Sequence, residues 1–223
     1  MSILTPLSND PESLTEFAQS IGLDPTTFQF AEVFSLEDEV LEFVPKPCYS
    51  IIFLFPVGSS SGQLETRHME DPPLTITSPW FTNQTLSNAC GTIAVIHSIM
   101  NNLDHLKVKP DSWLSKFISV SASMTPEERA KYIEGNEEIQ DLQQNNAEDD
   151  DTPILNDGLV DTHFICFTIF DGKLWELDGR KPHPICHGES TDILHQTINI
   201  IKAEFLPNID DPMQISLAAF CAP

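Results

Sequence analysis

The chain has 223 residues, 40% of them hydrophobic and 14 of them Phe, enough for one sizeable core. Its 11 basic and 34 acidic residues give a formal charge of -23, which argues against nucleic-acid binding because little is left to neutralise phosphates. The same charge favours a basic partner or substrate, which an acidic face steers inward.

From the N-terminus, Asp10-Pro11 followed by Glu12 predicts a capped helix with Pro at its first position and an acidic first turn. Phe28–Phe34 alternates loosely and predicts a strand, and Ile51–Phe55 a buried strand bounded by prolines. Ile93, Ile96, Met100 and Leu103 recur at helical spacing, so a helix is expected to begin near Cys90. Further helices are expected over Trp113–Val120 and after Thr125-Pro126-Glu127-Glu128. Gln143–Gly158 is polar and acidic without an apolar period, which predicts a long loop inside the domain. Strands over Thr162–Phe170 and Leu174–Leu177, a helix over Asp192–Phe205 and a last strand over Gln214–Phe220 complete the chain. Helices and strands mix without a βαβ repeat. The expected fold class is therefore α+β, a largely antiparallel sheet with helices packed on it, in a single domain over residues 1–223.

Five cysteines (Cys48, Cys90, Cys166, Cys186 and Cys221) are an odd number without a close C-x-x-C pair. No basic stretch leads into an apolar one at the N-terminus, so no signal peptide is expected, and the apolar runs are too short to span a bilayer. These features predict a soluble protein of a reducing compartment, the cytoplasm first and the nucleus second.

Asp171-Gly172 between two strand-like runs predicts a two-residue hairpin turn. Phe170 then pairs with Lys173 and Ile165 stands opposite Asp178, which leaves His163 on the same face as Asp178 and diagonal to it. Diagonal neighbours lie roughly 7–8 Å apart, within reach of an imidazole and a carboxylate. A carboxylate so placed can hold an imidazole in the orientation a base needs; the competing reading is an ordinary cross-strand polar pair. His97 is expected on the helix after Cys90, and His68 and His105 at the surface.

Cys90 falls where a helix begins, and a helix N-terminus beside an imidazolium favours the thiolate. The plainer alternative is a buried core cysteine. Gly91 would let a substrate backbone approach closely, while the Cys90 N–H and the Gln84 amide are candidate oxyanion donors. Gln84, Cys90, His163 and Asp178, in that order, make a cysteine-hydrolase constellation.

Gln84-Thr85-Leu86-Ser87-Asn88-Ala89-Cys90-Gly91-Thr92-Ile93 resembles the nucleophile motif of the ubiquitin carboxyl-terminal hydrolases, a family of deubiquitinating cysteine peptidases. The similarity extends to Val44-Pro45-Lys46-Pro47, to His97 with Asn101-Asn102, to Met124–Ala130 and to Leu177–Pro182, and covers essentially the whole chain. The resemblance implies Cys90 as nucleophile, His163 as general base then acid, Asp178 as its orienter and Gln84 as oxyanion-hole residue, with no cofactor. It further implies a papain-like arrangement on a knotted backbone, with the acidic stretch near Gln143–Gly158 crossing over the site and limiting leaving groups to small adducts and short tails. Ubiquitin is the implied partner of a monomeric enzyme, with ubiquitin-like proteins as further candidates. Glu32 matches a position where relatives carry an acid near ubiquitin's basic tail.

Three other readings compete. Gly58-Ser59-Ser60-Ser61-Gly62 matches the serine-hydrolase pattern G-x-S-x-G, although a serine-rich tract before Pro72-Pro73 suits a loop better. Cys186-His187 with His183 suggests a metal site, but the spacing is wrong for closed zinc and favours a surface loop. A ubiquitin-binding module without activity would keep the fold and lose the chemistry, yet all four expected catalytic residues are present.

Overall fold

In the computed structural model, which describes residues 4–57, 62–69, 77–147 and 161–223, Asp10 accepts hydrogen bonds from the N–H groups of Glu12 and Ser13. Helix α1 (Pro11–Ile21) therefore starts at the expected cap. Thr125 and Glu128 form a reciprocal capping box at the start of α6 (Pro126–Glu134), and Ser112 caps α5 (Trp113–Ser121). The remaining helices are α2 (Asp38–Leu41), α3 (Gly62–Thr66), α4 (Cys90–Met100), α7 (Glu137–Ala147) and α8 (Ile193–Ile200). A π-helical turn over Ile201–Phe205 continues α8.

Among the described residues six strands, β1 (Gln29–Glu32), β2 (Cys48–Pro56), β3 (Thr162–Phe170), β4 (Lys173–Leu177), β5 (Ile185–Glu189) and β6 (Ser216–Cys221), form one sheet in the order β1-β6-β2-β3-β4-β5. Every adjacent pair is antiparallel, and the fold is α+β. Period-two alternation divides the core between the two faces. Ile52, Phe164, Cys166 and Trp175 pack toward α4 and α1, whereas Ile51, Phe53, Ile165 and Phe167 pack toward α8.

Two sequence expectations need correction. Ile185–Glu189, read as loop, is the edge strand β5: it is short and half polar, and its pairing with β4 supplies the order that its own pattern lacks. Residues 143–147, assigned to the acidic loop, form the last turns of α7, whose Ile139, Gln143 and Ala147 are buried. Contact with α1 and the burial of Gln143 and Ala147 hold the helix there despite the missing apolar stripe and two Asn residues. The rest of the expected loop, residues 148–158, lies outside the described residues.

Buried charges tie α3 to the sheet. Arg67, just past α3, donates to both carboxylate oxygens of Glu176 on β4 at 2.6 and 2.7 Å, and also pairs with Glu204. His187 Nε2 lies 3.0 Å from Glu176 Oε2, one of the two oxygens that Arg67 holds. Lys181 adds a bond from its Nζ to the Leu64 carbonyl at 2.9 Å. Removing one partner of a buried pair leaves the other desolvated and unpaired, so Glu176→Ala is expected to cost roughly 3–5 kcal/mol, read as a drop in the urea midpoint of unfolding.

Candidate active site

Helix α4 is buried almost throughout, and its N-cap, Ala89, offers no side-chain acceptor. The first N–H groups of the helix are thus left without a capping side chain, beside Cys90. Cys90 is 3% exposed. The turn before it is held by side chains: Asn88, at φ 60, donates from Nδ2 to the Leu4 carbonyl at 2.9 Å. Gln143 of α7 donates to the Asn88 carbonyl at 3.0 Å and accepts from the Thr92 hydroxyl at 2.7 Å, bracketing Cys90 from both sides. Sequence reading gave Gln143 to a loop; its polarity conceals a buried hydrogen-bonding role. Gly91 also acquires a different meaning. A Cβ there would stand 3.1 Å from Leu7 Cβ and 3.5 Å from the Phe164 ring, so its lack of a side chain serves helix packing.

The turn at Asp171-Gly172 has positive φ at both residues, 50 and 68, as a twisted two-residue hairpin requires. Phe170 pairs with Lys173 and Cys166 with Leu177, the expected register. His163 and Asp178 meet: Nε2 to Oδ1 is 2.7 Å, and both side chains are buried. The Arg180 N–H donates to the same Asp178 oxygen at 2.9 Å. With Nε2 engaged by Asp178, Nδ1 is the ring nitrogen left for Cys90, the thiol coupled to the ring.

Burial alone would raise the Cys90 thiol, but hydrogen bonding to His163 and its charge bring the pKa below the ordinary value. Burial pulls His163 down, yet the charge and hydrogen bond of Asp178, with Cys90 behind them, raise it to about 9. Asp178 would also be raised by burial, and the charge and hydrogen bond of His163 hold it below the usual carboxylate range. These three groups together favour a thiolate–imidazolium pair oriented by a carboxylate.

Gln84 lies on an irregular segment strung along polar side chains. Asn101, which caps the C-terminus of α4, binds both the N–H and the carbonyl of Trp80, at 2.8 and 2.9 Å. Arg129 of α6 donates to the Phe81 carbonyl at 2.7 Å, and the Thr82 N–H donates to His97 Nε2 at 3.1 Å. Asn83 reaches the Lys181 carbonyl, and the Gln84 N–H donates to the Gly179 carbonyl at 2.8 Å, next to Asp178. Burial keeps His97 neutral, with a pKa of about 4, so it can accept that bond. Gln84 Nε2 donates to the Leu86 carbonyl at 3.0 Å. His97, Asn101, Arg129 and Lys181 were all visible in the sequence as motif residues without a role.

A cavity of about 200 Å³, lined by Phe55, Leu64, His163, Asp178, Arg180 and Lys181 among others, opens beside the histidine–aspartate pair. Glu32 is not part of this cluster. It is exposed at the end of β1, with β6 and β2 between it and β3, beside the exposed side chains of Phe34 and Met213.

The family model described as "Ubiquitin carboxyl-terminal hydrolase, family 1" matches residues 4–205. The chain belongs to this family. Ubiquitin carboxyl-terminal hydrolase 3 of Arabidopsis thaliana is 37% identical over 201 residues, covering 88% of this chain and 85% of the relative. Isozyme L1 of Rattus norvegicus is 35% identical over 221 residues, covering 98% of each. The crystal structure of the Trichinella spiralis UCH37 catalytic domain bound to ubiquitin vinyl methyl ester has the same fold, with a TM-score of 0.81 at 21% identity, covering 100% of this chain and 97% of that one. The protein is a deubiquitinating cysteine hydrolase.

Other candidate residues of this hydrolase fare differently. Ser59, Ser60 and Ser61 lie outside the described residues. Cys186 and His187 are on β5, with His187 committed to Glu176 rather than exposed in a surface loop. His105 is exposed and stacks on Tyr49, whereas His68 is half-buried near Glu204. No helix among the described residues is long and apolar enough to cross a membrane.

Gln143→Ala removes both bonds around Cys90 and is expected to lower turnover of a fluorogenic ubiquitin C-terminal amide on the order of 10-fold, since small misplacement of a reacting group is costly. Unchanged turnover would mean that the Cys90 turn holds itself.

Proposed function

We propose that Cys90 attacks the carbonyl carbon of ubiquitin's C-terminal glycine, forming a thioester that water then hydrolyses. One observation carries the assignment: Cys90, at the uncapped start of α4, is coupled to an imidazole that Asp178 holds at 2.7 Å. In this reading the His163 imidazolium gives its proton to the departing group and, as a base, takes one from the attacking water. The Cys90 N–H and the Gln84 amide donate to the developing oxyanion. Gln84 Nε2 carries a second hydrogen besides the one given to Leu86, which supports that role.

Ubiquitin is the substrate body and partner, drawn in by the charge of -23. Glu32, flanked by exposed Phe34 and Met213, is the acidic contact on its docking face. Small adducts and short peptide tails are the departing groups.

Incubation with a ubiquitin bearing a C-terminal electrophile should label the protein covalently, and Cys90→Ala should abolish labelling. Failure of the native protein to label would falsify the assignment. Gln84→Ala is expected to lower kcat by about 10²- to 10³-fold with KM nearly unchanged, as loss of one oxyanion donor does.

The pH profile follows from the pair. Activity appears as the pair loses its first proton and becomes thiolate–imidazolium. It disappears as pH rises through about 9, where His163 loses the second. Asp178 is the strongest of the groups that raise His163, so Asp178→Asn should move the alkaline limb of kcat/KM to lower pH. An alkaline limb that stays in place would contradict the assigned role of Asp178.

A further inference from the structure

Cys48 and Cys221 stand directly opposite each other on β2 and β6, and both are free thiols. Regular alternation along β2 would turn Cys48 toward α4, since Ile51 and Phe53 point toward α8. The register shift between Cys48 and Ser50 reverses this: Tyr49 packs on the α4 side, and Cys48 turns to the α8 side, where Cys221 is buried. The backbone bond from the Ala222 N–H to the Pro47 carbonyl, 3.0 Å, flanks the pair. A flanking bond of that kind marks a non-hydrogen-bonded position, where opposed Cα atoms approach to about 4.5 Å and side chains lie closest. That separation falls within the range a disulfide spans, roughly 4.4–6.8 Å. The Cys48 Sγ donates to the Ser50 carbonyl at 3.6 Å, and Cys48, half-buried, lines a cleft of about 470 Å³ that also contains Asp192 and His195.

We propose that Cys48 and Cys221 form a redox modification site, at which a hydroperoxide converts the thiol pair into a cross-strand disulfide fastening the C-terminal strand to β2. Cys48, reachable from the cleft, reacts first. Its sulfur attacks a peroxide oxygen; the S–O bond forms, the O–O bond breaks, and the alcohol leaves carrying the thiol proton. Cys221 then attacks the sulfenic sulfur; the S–S bond forms, the S–O bond breaks, and water leaves with the second proton. In sum, two thiols lose two electrons and two protons, and the hydroperoxide is reduced to an alcohol and water. The neighbouring Cys221 thiol and burial hold the Cys48 thiol well above its ordinary pKa, so the step is slower than oxidation of Cys90.

The test uses the full chain carrying Cys90→Ser, which removes the faster thiol. Treatment with tert-butyl hydroperoxide should yield a Cys48–Cys221 linked peptide under non-reducing digestion, and dithiothreitol should dissolve it. The oxidised form should melt higher by roughly 5–15 °C, because the link closes a long loop, from residue 48 to residue 221. Cys48→Ser and Cys221→Ala, each in the same background, should abolish both the linked peptide and the shift. Cys48→Ser with Cys90 intact should hydrolyse substrate at the native rate. Absence of the linked peptide in excess peroxide, or pairing of Cys48 with Cys186 instead, overturns the site. A linked peptide without a rise in melting temperature overturns its action as a fastening.

Discussion

The two-residue turn at Asp171-Gly172 sets the register of β3 against β4, and the distance from His163 to Asp178 follows from that register. With Phe170 opposite Lys173, each outward step places residues across from each other until the strands end beside the site. A slip of one residue would carry Asp178 to the other face of the sheet and away from the imidazole. The same slip would take Glu176 away from Arg67 and His187, so one turn supports both the oriented imidazole and the anchoring of α3.

Around this register the structure satisfies irregular backbone with side chains. The segment from Trp80 to Gln84 belongs to no helix or strand, and its polar groups are met by Asn101, His97, Arg129 and the carbonyl of Gly179. Unpaired buried polar groups are expensive, so such a ladder both stabilises the segment and fixes where Gln84 points. Gln143 does the same for the turn into α4, from a helix remote in sequence. The thiol and its proposed oxyanion donors are thus held by polar contacts from three helices, α4, α6 and α7.

Charge is arranged in two regimes. The excess of acid, 34 residues against 11 basic ones, is a property of the chain as a whole. The buried charges, in contrast, are paired at close range: His163 with Asp178, and Glu176 with Arg67 and His187. Free thiols follow a similar division, with Cys90 lowered by an imidazolium, Cys166 pushed up to about 12 by burial, and Cys48 set against Cys221.

Much of this was legible in the chain, because it rests on local rules. Caps at Asp10 and Thr125, the helix at Cys90 and the hairpin at Asp171-Gly172 depend on neighbouring residues alone, and the hairpin extended the reading as far as the His163–Asp178 pair. Strand β5 and the end of α7 escaped because their order comes from β4 and α1, not from their own periodicity. The meeting of Cys90 with His163 was also beyond local rules. Alternation puts His163 on the face of the sheet covered by α8, while α4 packs on the opposite face. They meet because Cys90 is the first residue of α4 and that helix starts against Phe164, where β3 is just beginning. Residue types and short spacings are properties of the sequence; how a helix end is set against a strand end is decided by packing across the whole core.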